Sequence, residues 1–170
     1  MPFLSAKDIR DDDVSFADPL FVPEADAAKY RKRCDPVRGD ILIVSRGATV
    51  GRMCIVRTDE VFCLLGSVIL LKVQAGVDSQ YVSWMIKSPV IQQQLTSLSG
   101  STAQQAIYLK DIRKVELPLP SREMQVRLAL EIRERYSAID EMETTLDAQL
   151  TQSTRLRQAV LKRAFEGRLG

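Results

Sequence analysis

The sequence contains one long stretch, residues 121–166, without a single glycine or proline. Pro118 and Pro120 precede it, and because proline lacks a backbone donor and disfavours a helical residue before it, they end whatever comes earlier. Ser121 is suited to cap a new helix, and Gly167 suits the left-handed position just past its end. The stretch predicts one helix about 65 Å long, which is more than a small domain needs for its own core.

The apolar residues of this predicted helix form a narrow stripe. Large apolar side chains follow one another at gaps of three or four residues, as in the seam of a coiled coil. They are Ile132, Tyr136, Ile139, Met142, Leu146 and Leu150, and Val160 resumes the stripe after a polar interruption at 151–154. A chain of 170 residues has no second long helix to cover this seam, so we expect a partner helix from another copy or another protein. The alternative is that the helix folds back over its own domain.

Composition limits the classes of protein to which the chain can belong. Its length fits one domain with an appendage, and a hydrophobic content of 45% supports a core. The three cysteines, Cys34, Cys54 and Cys63, have no metal-ligand spacing, and the chain has no histidine. We therefore expect reduced core thiols in a cytoplasmic protein, with no metal and no cofactor. The lack of histidine also removes the commonest general base, so no catalytic residues are predicted.

Charge is unevenly distributed although the net charge is only +2. Residues 1–30 hold three bases against seven acids, whereas residues 31–60 hold seven bases against four acids. A basic segment in a near-neutral domain is typical of a polyanion site, and equally of a solvated face. Within it, Arg31, Lys32 and Arg33 end a predicted helix that begins at Asp26 and are candidate phosphate contacts.

A predicted hairpin lies in the same basic segment. The apolar run 41–44 is followed by a connection with two glycines, and residues 52–57 return as a second strand. The loop is not a phosphate-binding loop, because the required lysine and following helix are missing. Its candidate contact residues are Ser45, Arg46, Thr49 and Arg52.

The remaining predicted elements surround a polar loop. Further strands are predicted at 19–22, 67–73 and 115–117; helices are predicted after Asp78 and from Ser88-Pro89, with a helical turn at 109–113. The loop at 100–106 carries hydroxyls and amides without charge, and glutamine can read adenine in two hydrogen bonds. Its candidate residues are Ser101, Thr102, Gln104 and Gln105, followed by Lys110. The loop is otherwise a simple linker between helix and strand.

Four fragments in a fixed order resemble one known family. They are GDILIVSRGATVGRMCIV, YVSWMIKSPVIQQQL, SGSTAQQAIYLKDIRKVELPLPSREMQ and a long helix that ends LRQAVLKRAFEGRLG. Together they resemble the specificity subunit of type I restriction–modification systems. The resemblance implies an α+β protein, with a mixed α/β target-recognition domain over residues 1–120 and a long coiled-coil helix over residues 121–170.

The resemblance also implies a function. Specificity subunits carry two recognition domains and two helices that pack antiparallel, and each domain reads one half of a split DNA target. Methyltransferase and restriction subunits join them and perform the chemistry. This chain has one domain and one helix, and it begins in what looks like the interior of the usual domain. We therefore expect a non-catalytic half-subunit that binds double-stranded DNA, docks methyltransferase subunits and forms a homodimer through the helix seam. The alternative is an assembly adaptor that uses the helix and has lost DNA binding.

Overall fold

The computed structural model describes residues 1–11, 13–99 and 106–167 and has the expected mixed architecture. The strands are β1 (Pro2–Leu4), β2 (Leu20–Phe21), β3 (Ile41–Val44), β4 (Met53–Ile55), β5 (Cys63–Leu64) and β6 (Val68–Leu71). The helices are α1 (Glu24–Arg33), α2 (Ser79–Lys87), α3 (Pro89–Ser99), α4 (Leu109–Ile112) and α5 (Arg122–Phe165), with a short 3-10 turn at Ala6–Asp8.

The central strand, β3, separates two hydrophobic cores. It lies between β4 and β6 in an antiparallel sheet, and all four of its residues are buried. Because successive side chains of a strand point to opposite faces, Leu42 and Val44 join one core while Ile41 and Ile43 join the other. The first core contains Phe62 and residues of β1 and β5; the second contains α2, α3 and the first turns of α5. This explains why the run 41–44 is apolar without alternation.

A second small sheet was not predicted from the sequence. Its strand order is β2–β1–β5, with β1 antiparallel to β2 and parallel to β5. The predicted strand at 19–22 is present as β2, whereas β1 and β5 were missed. The strand predicted at 115–117 is wrong, because this segment forms no strand and its apolar residues Val115 and Leu117 pack against the second core instead.

The predicted helices are present with small shifts at their ends. Asp78 caps α2 by accepting a hydrogen bond from the Tyr81 backbone N–H at 2.8 Å, and Pro89 is the first residue of α3. The long helix runs unbroken through the polar residues 151–154. No helix in the described ranges is long and apolar enough to cross a membrane.

The chain divides into two units, Met1–Ala129 and Leu130–Gly170. The first contains both cores, and Leu128 and Ala129 of α5 belong to the second of them. In the second unit, which is described through residue 167, Ile132 is partly buried and every other residue is exposed. The six other predicted seam residues are about half exposed or more: Tyr136 52%, Ile139 49%, Met142 65%, Leu146 61%, Leu150 67% and Val160 50%.

Candidate DNA-binding surface

The β3–β4 hairpin ends in a tight, exposed tip. The Gly51 N–H donates to the Val44 carbonyl at 2.9 Å, and the Val44 N–H donates to the Arg52 carbonyl at 2.8 Å, so the last ladder bonds close the loop. Gly47 and Gly51 have φ of +106° and +86°, a region that favours glycine. Among the residues that the structure describes, no atom lies within 4 Å of the position that a Cβ would take on either glycine, so no described neighbour packs against the tip there.

Ser45 joins this tip to the segment that follows the polar loop. Its backbone N–H donates to the Ser67 carbonyl at 2.8 Å, and its carbonyl accepts from the Ile107 N–H at 2.9 Å. The Ser45 side chain is buried, so in this conformation the residue connects elements and does not present its hydroxyl to DNA. The predicted contacts Ser101, Thr102, Gln104 and Gln105 lie outside the described residues. Ile107 nevertheless brings the chain just after them to the base of the hairpin tip.

Among the predicted contacts at the tip, Arg46 is the most available cation. Its side chain is exposed and forms no ion pair within the described ranges. The Nε of Arg52 lies 3.6 Å from Asp11 Oδ1, so a DNA phosphate would compete with that carboxylate for Arg52. Thr49 is partly buried, and its carbonyl accepts the Arg52 N–H at 3.0 Å within the tip.

An exposed aromatic residue beside this tip was missed from the sequence. Tyr108 follows Ile107, is 45% exposed, and lies under the Lys110 ammonium, which is 5.4 Å from the ring centroid. Exposed aromatic rings next to cations are suited to stack on unpaired bases or to pack against the sugar–phosphate backbone. The signal was present as a tyrosine between a polar loop and a lysine, but exposure cannot be read from composition.

The predicted contacts of α1 lie at the other end of β3. Arg31 Nε is bound to Asp35 Oδ1 at 2.8 Å, and the Asp35 carbonyl accepts from Lys72 Nζ at 2.7 Å. Lys72 directly follows β6, whose last residue, Leu71, pairs with the first residue of β3, Ile41. The hairpin tip lies past the last residue of β3, so the length of the strand, roughly 13 Å, separates the two groups. Lys32 and Arg33 on α1 are exposed and form no ion pair in the described part of the chain.

Ion pairing reduces the number of cations that can meet DNA. Of the seven bases at 31–60, Arg31, Arg38 and Arg52 are paired with carboxylates. The Arg38–Asp59 pair makes two hydrogen bonds, of 2.8 and 2.6 Å, and the arginine lowers the pKa of the Asp59 carboxyl. Arg46, Lys32 and Arg33 therefore make up most of the unpaired positive charge in this segment.

Comparison with known proteins identifies the domain. The family model for the type I restriction modification DNA specificity domain matches residues 1–152. The chain belongs to this family. The specificity subunit of the type I restriction enzyme EcoBI from Escherichia coli is 29% identical over 145 residues, which cover 81% of this chain and 29% of that subunit. The chain thus spans about a third of the length of this relative.

Two solved structures share the fold of this specificity domain. One is a chain from a study of complex assembly and conformational transition in a type I restriction–modification system, with a TM-score of 0.69 at 24% identity. The other is the HsdS subunit from Thermoanaerobacter tengcongensis, with a TM-score of 0.58 at 24% identity. Each match covers 99% of this chain and 39% or 38% of the solved chain.

The chemistry of the specificity domain is that of recognition. Specificity subunits of type I systems are non-catalytic. In the ranges that the structure covers, no group of three or more His, Cys, Asp or Glu side chains is placed to hold a metal ion. DNA binding is implied by membership of the family.

Proposed function

We propose that this chain is a half-subunit that reads one half of a bipartite DNA target. The observation that carries the proposal is the Ser45–Ile107 hydrogen bond, which brings the basic hairpin tip and the segment after the polar loop together in a domain of the DNA specificity family. Such a subunit works in the cytoplasm, where the DNA is.

The proposed contacts divide into positioning and reading residues. Phosphate contacts fix the register of a protein on DNA, and contacts to base edges carry the sequence information. Arg46 and Arg52 at the tip, with Lys110 beside it, are the proposed positioning residues. Thr49 and the residues of the polar loop, Ser101, Thr102, Gln104 and Gln105, are the proposed readers. Lys32 and Arg33 of α1, with Arg31 if it leaves Asp35, would meet phosphates farther along the duplex.

The exposed seam of α5 supports a homodimer. Leaving the six large apolar side chains from Ile132 to Leu150 in water forgoes on the order of 1.5–3 kcal/mol for each one that could be fully buried. A second copy related by a two-fold axis offers the same patch in return. An antiparallel pair of helices would carry two copies of the domain at opposite ends, so that the dimer reads a split target with identical, inverted halves.

The dimer would act as a scaffold for other subunits. Methyltransferase subunits dock on it, restriction subunits join them, and these partners bring the catalytic residues and their S-adenosylmethionine, ATP and magnesium. This chain contributes the choice of DNA sequence and the spacing between the two half-targets.

The hairpin contacts can be tested by removing charge at the tip. The double substitution Arg46→Ala and Arg52→Ala should weaken binding to duplex DNA and reduce the slope of log K against log [salt] by up to about 1.8, because each lost phosphate contact removes about 0.9. The matched control is Arg38→Ala with Arg57→Ala, since these arginines belong to the same basic segment but lie away from the tip: Arg57 follows β4, whose Ile55 pairs with Ile41 at the far end of β3.

The control variant changes arginines at the end of β3 nearer α1, so it should reduce the slope by less than the tip variant does. Unchanged DNA binding by a folded tip variant would exclude the hairpin as a contact. An absence of salt-dependent binding in every variant would favour the adaptor function, in which only the helix is used.

A further inference from the structure

The exposed seam of α5 follows a seven-residue repeat. One row of the repeat contains Ile132, Ile139, Leu146 and Val160, and the other contains Tyr136 and Leu150 with Glu143 between them, while the seam residue Met142 lies on the flank beside Glu143. In an antiparallel pair of helices, each layer of the interface combines a residue of one row with a residue of the other. The possible registers therefore differ by a shift of one helix along the other by whole repeats of seven residues. Each register places the two-fold axis at a different point along α5.

Two registers bury a comparable set of apolar side chains. With the axis beside Glu141, Tyr136 packs on Leu146 of the second copy and Ile132 packs on its Leu150, each twice by symmetry. With the axis beside Ala148, Leu146 packs on Leu150 and Tyr136 on Val160. Apolar matching alone does not separate these two arrangements.

The charges that flank the seam do separate them. With the axis beside Glu141, Arg133 comes level with Asp147 of the second copy on the same side of the seam, which gives two ion pairs per dimer. With the axis beside Ala148, Arg135 comes level with Arg163 instead, which gives two like-charge contacts. All four side chains are exposed; Arg135 is bound to Glu131 Oε1 at 2.6 Å, whereas Arg133, Asp147 and Arg163 make no ion pair among the described residues.

We propose that two copies of this chain pair through α5 in one antiparallel register, with the two-fold axis beside Glu141. This inference rests on the homodimer of the proposed function and goes further by naming which residue meets which. It also locates a weak point. In this register Glu143 faces Ile139 of the second copy, and Asp140 approaches its own symmetry mate, so carboxylates gather at the axis.

Disulfide trapping distinguishes the registers. Two double variants share one position: Tyr136→Cys with Leu146→Cys, and Tyr136→Cys with Val160→Cys, both made with Cys34→Ala because Cys34 is only partly buried. Residues this far apart on one helix cannot bridge within a chain, since a disulfide needs Cα atoms closer than about 7 Å. The proposal predicts rapid covalent dimers of the first variant under mild oxidation and none of the second.

The single variant Leu146→Cys, in the same background, is the control for a parallel pair, in which it would bridge to itself. Covalent dimers of the Tyr136/Val160 variant or of the single variant would overturn the register while leaving a homodimer in place. Sedimentation shows independently whether the unmodified chain dimerises. A monomer would refute both the dimer and its register. DNA binding by the domain would still be tested by the hairpin variants.

A charge exchange tests the ion pair itself. Arg133→Glu or Asp147→Lys alone should raise the Kd of the dimer, and the two together should restore it. Exposed ion pairs typically contribute about 0.2–1 kcal/mol, so each of the two symmetric pairs should change the Kd of the dimer by about 1.4- to 5-fold. The second charge reversal should therefore lower the raised Kd by about 2- to 30-fold. Glu143→Leu should tighten the dimer by about tenfold or more, because it completes an apolar layer and removes charge at the axis. Additive effects of the two charge reversals would contradict the register.

Discussion

A buried glutamine connects the start of α5 to the domain, and its replacement makes a sharp test of the packing. Gln125 is 2% exposed; its Nε2 donates to the Pro120 carbonyl at 2.7 Å, and its Oε1 accepts from the Asp78 N–H at 2.9 Å. Asp78 is also the cap of α2. The substitution Gln125→Leu keeps most of the volume and removes both hydrogen bonds.

The expected cost follows from the two groups left behind. A buried donor or acceptor without a partner costs about 1–3 kcal/mol, so losing the partners of the Asp78 N–H and the Pro120 carbonyl should lower the free energy of unfolding by about 2–4 kcal/mol, because a leucine side chain recovers part of the loss. With a urea m-value of about 2 kcal/mol/M, the unfolding midpoint should fall by about 1–2 M.

The assay is urea unfolding followed by the fluorescence of Trp84, the single tryptophan of the chain, which packs against the second core of the first unit. Protein concentration is held constant, because dimerisation would change the apparent stability. Gln152→Leu, on the exposed part of α5, is the matched control and should change the midpoint little. A change below about 0.5 kcal/mol in the Gln125 variant would refute the assignment of these hydrogen bonds.

Three further predictions concern the thiols, the helix and catalysis. Burial raises the pKa of the Cys54 thiol to about 12 and also raises that of Cys63. At pH 8 a thiol reagent should therefore modify only Cys34 in the folded chain, and it should modify Cys54 and Cys63 only after unfolding. Because the thiol of the unfolded chain ionises near its ordinary pKa of about 9, the stability of the folded domain should fall as the pH rises above about 9; a flat stability profile from pH 8 to 11 would contradict the burial of Cys54. Charged substitutions at Leu146 and Leu150 should give monomers by ultracentrifugation that keep the circular dichroism and Trp84 emission of the domain, and a persistent dimer would show that the seam is elsewhere. The pure chain should neither methylate nor cleave DNA, and either activity in the absence of partners would overturn the non-catalytic assignment.

Local signals in the sequence predicted the helices and the central hairpin well. Asp78, Pro89 and Ser121 mark helix starts through capping or a fixed φ, and these effects act within one turn of the chain. The apolar run 41–44 and the glycines after it predicted a strand and a turn for the same reason. The continuity of α5 through residues 151–154 shows that a few residues of modest helix propensity do not end a helix of this length.

The second sheet could not be predicted because its stability is non-local. β1 and β5 have three and two residues, and their parallel pairing joins Phe3 to Cys63 across most of the domain. The segment 115–117 has the alternation of a strand, but it pairs with no strand among the described residues, and its apolar side chains Val115 and Leu117 pack against the second core.

The sequence named candidate contact residues but could not give their arrangement in space. The sequence grouped Arg31 to Arg33 with Arg46 and Arg52 because all lie in one basic segment, whereas the structure separates them along β3 and pairs Arg31 and Arg52 with carboxylates. Ser45 was a candidate because it stands next to a loop, and burial gives it a connecting role instead. Pairing and burial depend on distant residues, such as Asp11 and Ile107, that a local pattern does not contain.

Sequence-specific DNA recognition by this chain can be measured by selection from a random duplex library. The unmodified chain is incubated with the library at low salt, the bound duplexes are sequenced, and the salt dependence of binding is measured for the enriched pool. We expect a bipartite consensus with two identical, inverted halves separated by a fixed gap, and a negative slope of log K against log [salt]. A folded chain that enriches no sequence and binds the pool without dependence on salt would contradict this expectation.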